Sequence, residues 1–210
     1  MRNQYYGDSR DVFKWSVIVR TLRAIKPYRI KAILQVAMLR PDDGSTQGGT
    51  LHHPSIVEEP VLRFFEAERK AFQSDPRQRD IRRITRLASR CGGDFEIRVF
   101  DAPFPRKTYF QDAIDAIQEL RRPALIFLDP DTGIGRANGR QRGKQVREDE
   151  VRLIFASLQP LDVLTVFQFK WNRVDWVDHL QGIFQQAVGH DVRIERAVDA
   201  DLALFSAIRE

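Results

Sequence analysis

The sequence predicts a Rossmann-like α/β fold with a mostly parallel sheet, helices on both faces of that sheet, and a C-terminal antiparallel hairpin. Three observations predict it. Apolar segments of strand length alternate with amphipathic segments of helix length. Residues 124–128 are wholly apolar, as expected for a central parallel strand that is buried on both faces. Finally, only Asp199, Ala200 and Asp201 separate the last two strand-like segments, which is typical of a hairpin.

The first half of the chain begins with a predicted helix over residues 8–25, which carries apolar side chains at helical spacing. Asp8 or Ser9 can serve as its N-cap. The helix predicted over residues 75–90 opens on Asp75 and Pro76, which suit the N-cap and first helical positions. The other elements predicted for this half are a strand over 30–39, a long loop over 40–54, a helix over 57–72 and a strand over 95–100.

The second half continues the alternation of helices and strands. Thr108 and Gln111 form a capping-box pattern that starts a helix reaching Leu120. After it we predict strands over 124–128 and 163–169, helices over 147–158 and 174–188, and the hairpin strands 192–198 and 202–208. Because no segment has the composition of a linker, we expect a single α/β catalytic domain over residues 1–210.

Composition limits the classes of function. No run of about 18 apolar residues is present to span a bilayer. The N-terminal residues lack the pattern of a secretory signal, and Cys91 is the only cysteine, so we expect a reducing cytoplasm. The 34 Lys and Arg residues exceed the 29 Asp and Glu residues, giving a net charge of +5 and a pI near 9.6. This excess, which is mostly Arg, favours a polyanionic partner such as nucleic acid.

The strongest candidate for chemistry is the loop Asp129-Pro130-Asp131-Thr132-Gly133, which directly follows the apolar strand. In open parallel sheets, ligands bind beyond the carboxyl ends of the strands. Two neighbouring carboxylates repel each other, so one is expected to have a raised pKa and to serve in proton transfer. The alternative interpretation is a turn in which an Asp side chain only caps the backbone.

A basic loop follows this motif. It is rich in glycine and contains five cations without an acid, which suits a segment that grips phosphates. The alternative is a solvated loop. The cations predicted to contact a nucleic-acid backbone are Arg136, Arg140, Arg142, Lys144 and Arg147.

The remaining candidates lie beside a predicted helix start or just after a predicted strand. Aromatic side chains among them can stack on a base, and amides can read base edges. Ser55 is expected to contact a phosphate or to cap the following helix. The predicted substrate-binding residues are Tyr5, Tyr6, Asp8, Lys14, Asp43, Ser55, Gln168, Trp171 and Asn172.

Two fragments resemble active-site motifs of the uracil-DNA glycosylase superfamily. Asp129-Pro130-Asp131-Thr132-Gly133 is similar to its Asp-Pro-x-x-Gly turn, and His53-Pro54-Ser55 is similar to its His-Pro-Ser segment. The resemblance implies that Asp129 steers water or stabilises an oxocarbenium ion, and that His53 supports the departing base. It also implies that the base is flipped out of the duplex.

The overall layout resembles adenine methyltransferases that act on ribosomal RNA. Residues 9–15 are similar to the first helix of that family, residues 42–49 are similar in place to its donor loop, and residues 129–132 are similar in place to its Asp-Pro-Pro-Tyr motif. The closing hairpin also suits the methyltransferase fold. Asp131 and Thr132 replace the second Pro and the aromatic residue of the motif, and the added charge of Asp131 favours hydrolysis.

From these observations we predict a nucleic-acid hydrolase, specifically a DNA N-glycosylase with Asp129, Asp131 and His53 as catalytic residues. It is expected to use no metal and no cofactor, to bind DNA, and to have no membrane partner. The alternative is an S-adenosylmethionine-dependent nucleic-acid methyltransferase, with residues 42–49 and Asp101 near the donor. A second alternative is a non-catalytic nucleic-acid binding module in which the Asp129 loop is structural.

Overall fold

The computed structural model describes residues 2–25, 29–42, 54–104, 107–136 and 143–210. Its α-helices are α1 (Ser9–Ala24), α2 (Glu59–Ser74), α3 (Leu87–Arg90), α4 (Tyr109–Gln118), α5 (Glu148–Ala156) and α6 (Trp176–Val188). Its strands are β1 (Ala32–Val36), β2 (Glu96–Phe100), β3 (Ala124–Leu128), β4 (Gly133–Gly135), β5 (Gln145–Arg147), β6 (Val163–Phe169), β7 (Ile194–Asp199) and β8 (Leu202–Ile208). Short 3₁₀ helices cover Asn3–Tyr5, Pro76–Gln78 and Ile81–Arg86.

The described strands form a six-stranded sheet in the order β2-β1-β3-β6-β8-β7, together with a two-stranded sheet of β4 and β5. Strands β2, β1, β3 and β6 run parallel to one another. Strand β8 is the last strand of the chain. It lies between β6 and β7 and runs antiparallel to both. The predicted Rossmann-like fold and its closing hairpin are confirmed.

Helices cover both faces of the sheet, because alternate residues of the central strands point to opposite sides. On β3, Ile126 and Leu128 face a core built with α4, α5 and α6. Leu125 and Phe127 face the other core, which includes α1, α2 and the start of α3. Every residue of β1 and β3 is buried, as a parallel strand covered on both faces requires.

The prediction of one continuous helix over residues 75–90 was wrong. Two 3₁₀ helices and the four-residue α3 occupy this segment. The Asp80 side chain accepts a hydrogen bond from the backbone N–H of Arg82 at 2.9 Å and so starts a new element inside the predicted helix. An Asp side chain that bonds to nearby backbone in this way competes with helical hydrogen bonding.

Helix α1 positions the site. Asp8 is its N-cap, and its carboxylate accepts hydrogen bonds from the backbone N–H groups of Arg10 and Asp11 at 2.9 and 3.2 Å. The first turns of α1 are buried, including the charged residues Asp11 and Lys14. Within the described residues, none of the helices is long and apolar enough to span a bilayer.

Candidate functional site

The site lies at the carboxyl edge of the parallel strands. Val36 at the end of β1 pairs with Leu128 at the end of β3, which in turn pairs with Val166 of β6. Asp129 is the residue directly after β3, and its backbone N–H donates to the Val36 carbonyl at 3.0 Å. The chain therefore delivers Asp129 to the edge where ligands bind in sheets of this kind.

The carboxylate of Asp129 is only 1% exposed and is engaged on both oxygens. Lys14 Nζ donates to Oδ1 at 3.0 Å and to Oδ2 at 3.2 Å. Gln35 Nε2 donates to Oδ2 at 2.8 Å. Lys14 Nζ also lies 4.7 Å from the centroid of the Phe167 ring, which adds a cation–π contact. Three segments, α1, β1 and β3, thus meet at one carboxylate.

Two further acids of α1 surround Lys14. Asp11 Oδ1 lies 2.8 Å from Lys14 Nζ, and Asp11 Oδ2 accepts a hydrogen bond from the Gly7 N–H at 2.8 Å. Asp11 and Lys14 are three residues apart and so lie on the same face of α1, and Asp8 caps the start of that helix. We call Asp8, Asp11, Lys14, Asp129 and Gln35 the buried polar cluster.

Burial and charge shift the protonation equilibria of the cluster. Burial raises the pKa of Asp129, although the Lys14 ammonium opposes that shift. Burial and the nearby Asp11 raise the pKa of Asp8 to about 7. Burial also opposes the charge on Lys14, but the carboxylates of Asp11, Asp129 and Asp8 hold its pKa above its ordinary value. The cluster therefore contains three acids around one persistent cation.

Asp131 has a different environment from Asp129. Its Oδ2 lies 3.3 Å from Arg40 Nη1, at the surface of the same edge. Burial opposes its ionisation, but surrounding positive charges, including those of Arg2 and Arg40, hold its pKa below the ordinary value. One carboxyl of the motif has a raised pKa, as the sequence predicted, but the main cause is burial of Asp129.

A narrow cleft of about 40 Å³ opens above the cluster. Its rim includes Tyr5, Arg10 and Phe169, and its floor includes Lys14 and Asp129. Tyr5, Lys14 and Asp129 were predicted from the sequence, whereas Arg10 and Phe169 were not. Gln35 and Asp11 of the cluster were not predicted either. The sequence does distinguish Gln35, because it is the polar residue in the otherwise apolar strand β1.

The structure places two predicted substrate residues away from the cleft. The Tyr6 ring is 1% exposed and packs against Phe65 and Phe72, with ring centroids 5.8 and 5.7 Å away, so it contributes to the core. Gln168 is fully buried, and its amide is used internally. Its Oε1 accepts from the Ile134 N–H at 2.8 Å, and its Nε2 donates to the Thr132 carbonyl at 3.0 Å.

Three other predicted substrate residues, Trp171, Asn172 and Ser55, do not line the cleft. Trp171 is half-buried, with its ring centroid 5.7 Å from that of His179, and Asn172 is exposed. Ser55 is exposed, and its backbone N–H donates to Asp199 Oδ2 at 3.2 Å. The interpretation of Ser55 as a helix cap was wrong, because α2 begins later, after Glu58.

The basic loop is described only in part. Arg136 and Lys144 are exposed, whereas Arg147 is paired with Glu150, at 3.0 Å between its Nε and Oε1, and with Asp149. The Asp129 motif and the basic loop after it were predicted without strands, but β4 and β5 lie within them. Predicted residues that lie outside the described ranges are His53, Asp43, Arg140 and Arg142, and residues 43–49 of the predicted donor loop lie outside them as well.

Comparison with known proteins gives matches only among solved structures. No protein-family model matches the chain, and no curated protein matches it. A precorrin-6y C5,15-methyltransferase from Geobacter metallireducens is 9% identical, with 93% of this chain and 89% of that chain covered and a TM-score of 0.37. An rRNA methyltransferase from Streptomyces viridochromogenes is 12% identical, with 93% and 84% covered and a TM-score of 0.39.

The glycosylase prediction is corrected: the two solved structures reported above carry methyltransferase names and give it no support. The geometry of the site agrees with the correction. Lys14 and Gln35 make three hydrogen bonds to an Asp129 carboxylate that has about four acceptor positions and is 1% exposed, so little of it is left to hold an attacking water.

Proposed function

We propose that this chain is an enzyme, an S-adenosylmethionine-dependent methyltransferase that acts on nucleic acid. The observation that carries the proposal is the placement of Asp129-Pro130 directly after β3, in a sheet whose antiparallel last strand lies between β6 and β7. The resemblance to adenine methyltransferases implies this combination of a closing hairpin and an Asp-Pro motif after a central strand.

Asp101 is the described residue that best fits the donor. It directly follows β2, which pairs in parallel with β1, so it lies at the carboxyl edge beside the β1 exit. Its side chain is 40% exposed and pairs with Arg82, at 3.6 Å between Oδ2 and Nε. In nucleotide-binding α/β folds, an acid in this position accepts hydrogen bonds from ribose hydroxyls. S-adenosylmethionine supplies an electrophilic methyl group on a sulfonium ion when bound.

The Asp129 end of the site suits the acceptor. Lys14 and Gln35 hold the Asp129 carboxylate and with it the turn that carries Pro130 and Asp131, which gives the cleft a rigid floor. Arg10 and Tyr5 stand at the rim, so the opening presents a cation and an aromatic ring to an incoming nucleotide. The net charge of +5 supports a polyanionic acceptor.

Donor binding tests the proposal directly. Calorimetry with S-adenosylmethionine and with S-adenosylhomocysteine is expected to show micromolar binding. Asp101→Ala is expected to weaken it about tenfold or more, because it removes charge-assisted hydrogen bonds to the ribose. Asp94→Ala is the matched control. Asp94 precedes β2 at the opposite edge of the sheet and is 80% exposed, so this variant is expected to bind like the wild type.

Transfer of a labelled methyl group to DNA and to RNA then identifies the acceptor. Nucleoside analysis of the product locates the added methyl group. Undetectable binding of both donor forms to the folded protein would overturn the proposal. Nucleic-acid binding without donor binding would favour the non-catalytic alternative instead.

A further inference from the structure

The capacity of the cleft limits what can enter it. A volume of about 40 Å³ has room for a few water-sized groups, since one such group needs roughly 10–15 Å³. Sites that enclose a whole drug-sized ligand are about 300–1,000 Å³. The described walls of this cleft therefore admit a substituent such as an amino or methyl group, and the ring that carries the substituent has to remain at the rim.

The rim has the composition that holds a planar ring. The Arg10 guanidinium carbon lies 4.9 Å from the centroid of the Phe169 ring, so the cation is layered on an aromatic face. Both side chains are half-buried, and both line the cleft. Guanidinium planes and aromatic rings are the groups on which proteins stack unpaired bases. Tyr5 provides a second aromatic ring on the same rim.

If the contact between Arg10 and Phe169 served only to stabilise the fold, its position at the cleft would have no explanation. Such a contact contributes about 0.5–1 kcal/mol at exposed sites and about 2 kcal/mol when desolvated, and it can do so anywhere on the surface. The pair instead stands at the opening above the buried polar cluster, where Arg10 and Asp8 belong to the same first turn of α1. The Asp8 cap fixes the backbone of that turn through the Arg10 N–H, at 2.9 Å, and so fixes the point from which the Arg10 side chain departs.

We propose that Arg10 and Phe169 form a stacking platform for one unpaired nucleobase, whose exocyclic group enters the cleft towards Asp129. This deepens the proposed function and rests on it, because it names the acceptor as a base in single-stranded or flipped-out nucleic acid. A base held in a duplex cannot present its edge to a recess in this way without leaving the stack.

Binding of single-stranded and duplex oligonucleotides of the same sequence tests the platform. Fluorescence anisotropy is measured without the methyl donor, so failure of donor binding and failure of the platform are distinguishable. The wild type is expected to bind the single strand more tightly than the duplex. Phe169→Leu is expected to weaken single-strand binding about tenfold, which matches the loss of stacking on one base. Its thermal midpoint serves as the folding check.

Arg10→Lys separates stacking from charge. Lysine keeps the positive charge but lacks the planar guanidinium, so this variant is expected to lose single-strand affinity about as strongly as Arg10→Gln. Arg90→Lys on α3 is the control for the same substitution elsewhere and is expected to bind like the wild type. Wild-type affinity in Arg10→Lys, equal affinity of the wild type for single strand and duplex, or no binding of either by the wild type would each overturn the proposal.

Discussion

Replacing Lys14 with Met tests the central feature of the site, the single cation among three buried acids. The substitution keeps an unbranched side chain of similar length but removes the charge that faces Asp11 and Asp129. Breaking a buried ion pair by removing one partner costs about 3–5 kcal/mol, because the remaining charge is left uncompensated. For a chain of this size, that loss lowers the thermal midpoint by roughly 6–20 °C.

The loss of stability in Lys14→Met is expected to depend on pH, because it arises from buried acids that lose their cation. Without Lys14, the pKa of Asp129 and that of Asp8 rise further, since burial then acts without the opposing cation. A carboxyl whose pKa is higher in the folded state than in the unfolded state makes folding less favourable as pH increases, because the unfolded state ionises first. The stability gap between Lys14→Met and the wild type is therefore expected to widen from pH 5 to pH 8.

Urea denaturation at both pH values measures the gap. Lys31→Met is the control, because Lys31 pairs with Asp94 at a site where the two side chains are 28% and 80% exposed. Such a surface pair contributes about 0–1 kcal/mol. The double variant Lys14→Met/Asp129→Asn is expected to recover part of the loss, since it removes a stranded acid. A Lys14→Met loss no larger than that of the control at pH 8, or a loss that does not depend on pH, would refute the reasoning.

Three further predictions concern single residues. Asp8→Asn keeps the helix cap but removes a carboxyl whose pKa is about 7, so its stability relative to the wild type is expected to increase from pH 5 to pH 8 in the same urea titrations; a flat difference would contradict the burial of that charge. Gly133→Ala is expected to lose about 1–3 kcal/mol by thermal denaturation, because φ is +105° there and a Cβ would lie 2.2 Å from Gln168 Oε1. Gly182→Ala in α6, where a Cβ meets nothing within 4 Å, is its control and is expected to gain about 0.5–1 kcal/mol. Asp162→Ala is expected to lose about 3 kcal/mol or more, since this buried carboxylate accepts two backbone N–H groups at 2.8 and 2.9 Å and pairs with an Arg; a loss below about 1 kcal/mol would show that these bonds are replaceable.

Much of the fold could be predicted because its central strands are apolar on both faces. Strands β3, β6 and β8 begin and end at the residues that the sequence predicted. Burial on both faces leaves a mostly apolar run that has sharp ends in the sequence. The segment 75–90 could not be predicted in the same way, because Asp75-Pro76 has the pattern of a helix start and Ile81, Ile84 and Leu87 follow at helical spacing. The bonds that interrupt a helix there are specific to the folded chain: the Arg82 N–H donates to Asp80, and the Ile81 N–H donates to the distant Asn3 side chain.

The site was predictable only where a strand end fixes it. Asp129 follows an unmistakable buried strand, so its position at the carboxyl edge was readable from the sequence. Its partners were not, because Lys14 and Gln35 reach it from segments 115 and 94 residues away. The helical spacing of Asp8 and Lys14 was visible, but the sequence alone does not tell whether that face meets solvent, substrate or another strand.

The composition of the buried polar cluster is itself an argument for function. If the cluster served only to hold α1, β1 and β3 together, apolar side chains of similar volume would do so at least as well, because desolvation offsets most of the gain from a buried ion pair. An excess of acids over cations makes the arrangement still less favourable as a structural device. Its acids and its cation sit directly beneath the described cleft at the carboxyl edge, where their charge can act on a bound group. Unfavourable buried charges at this edge of the sheet are expected of a functional site. A contact that serves only packing does not need them.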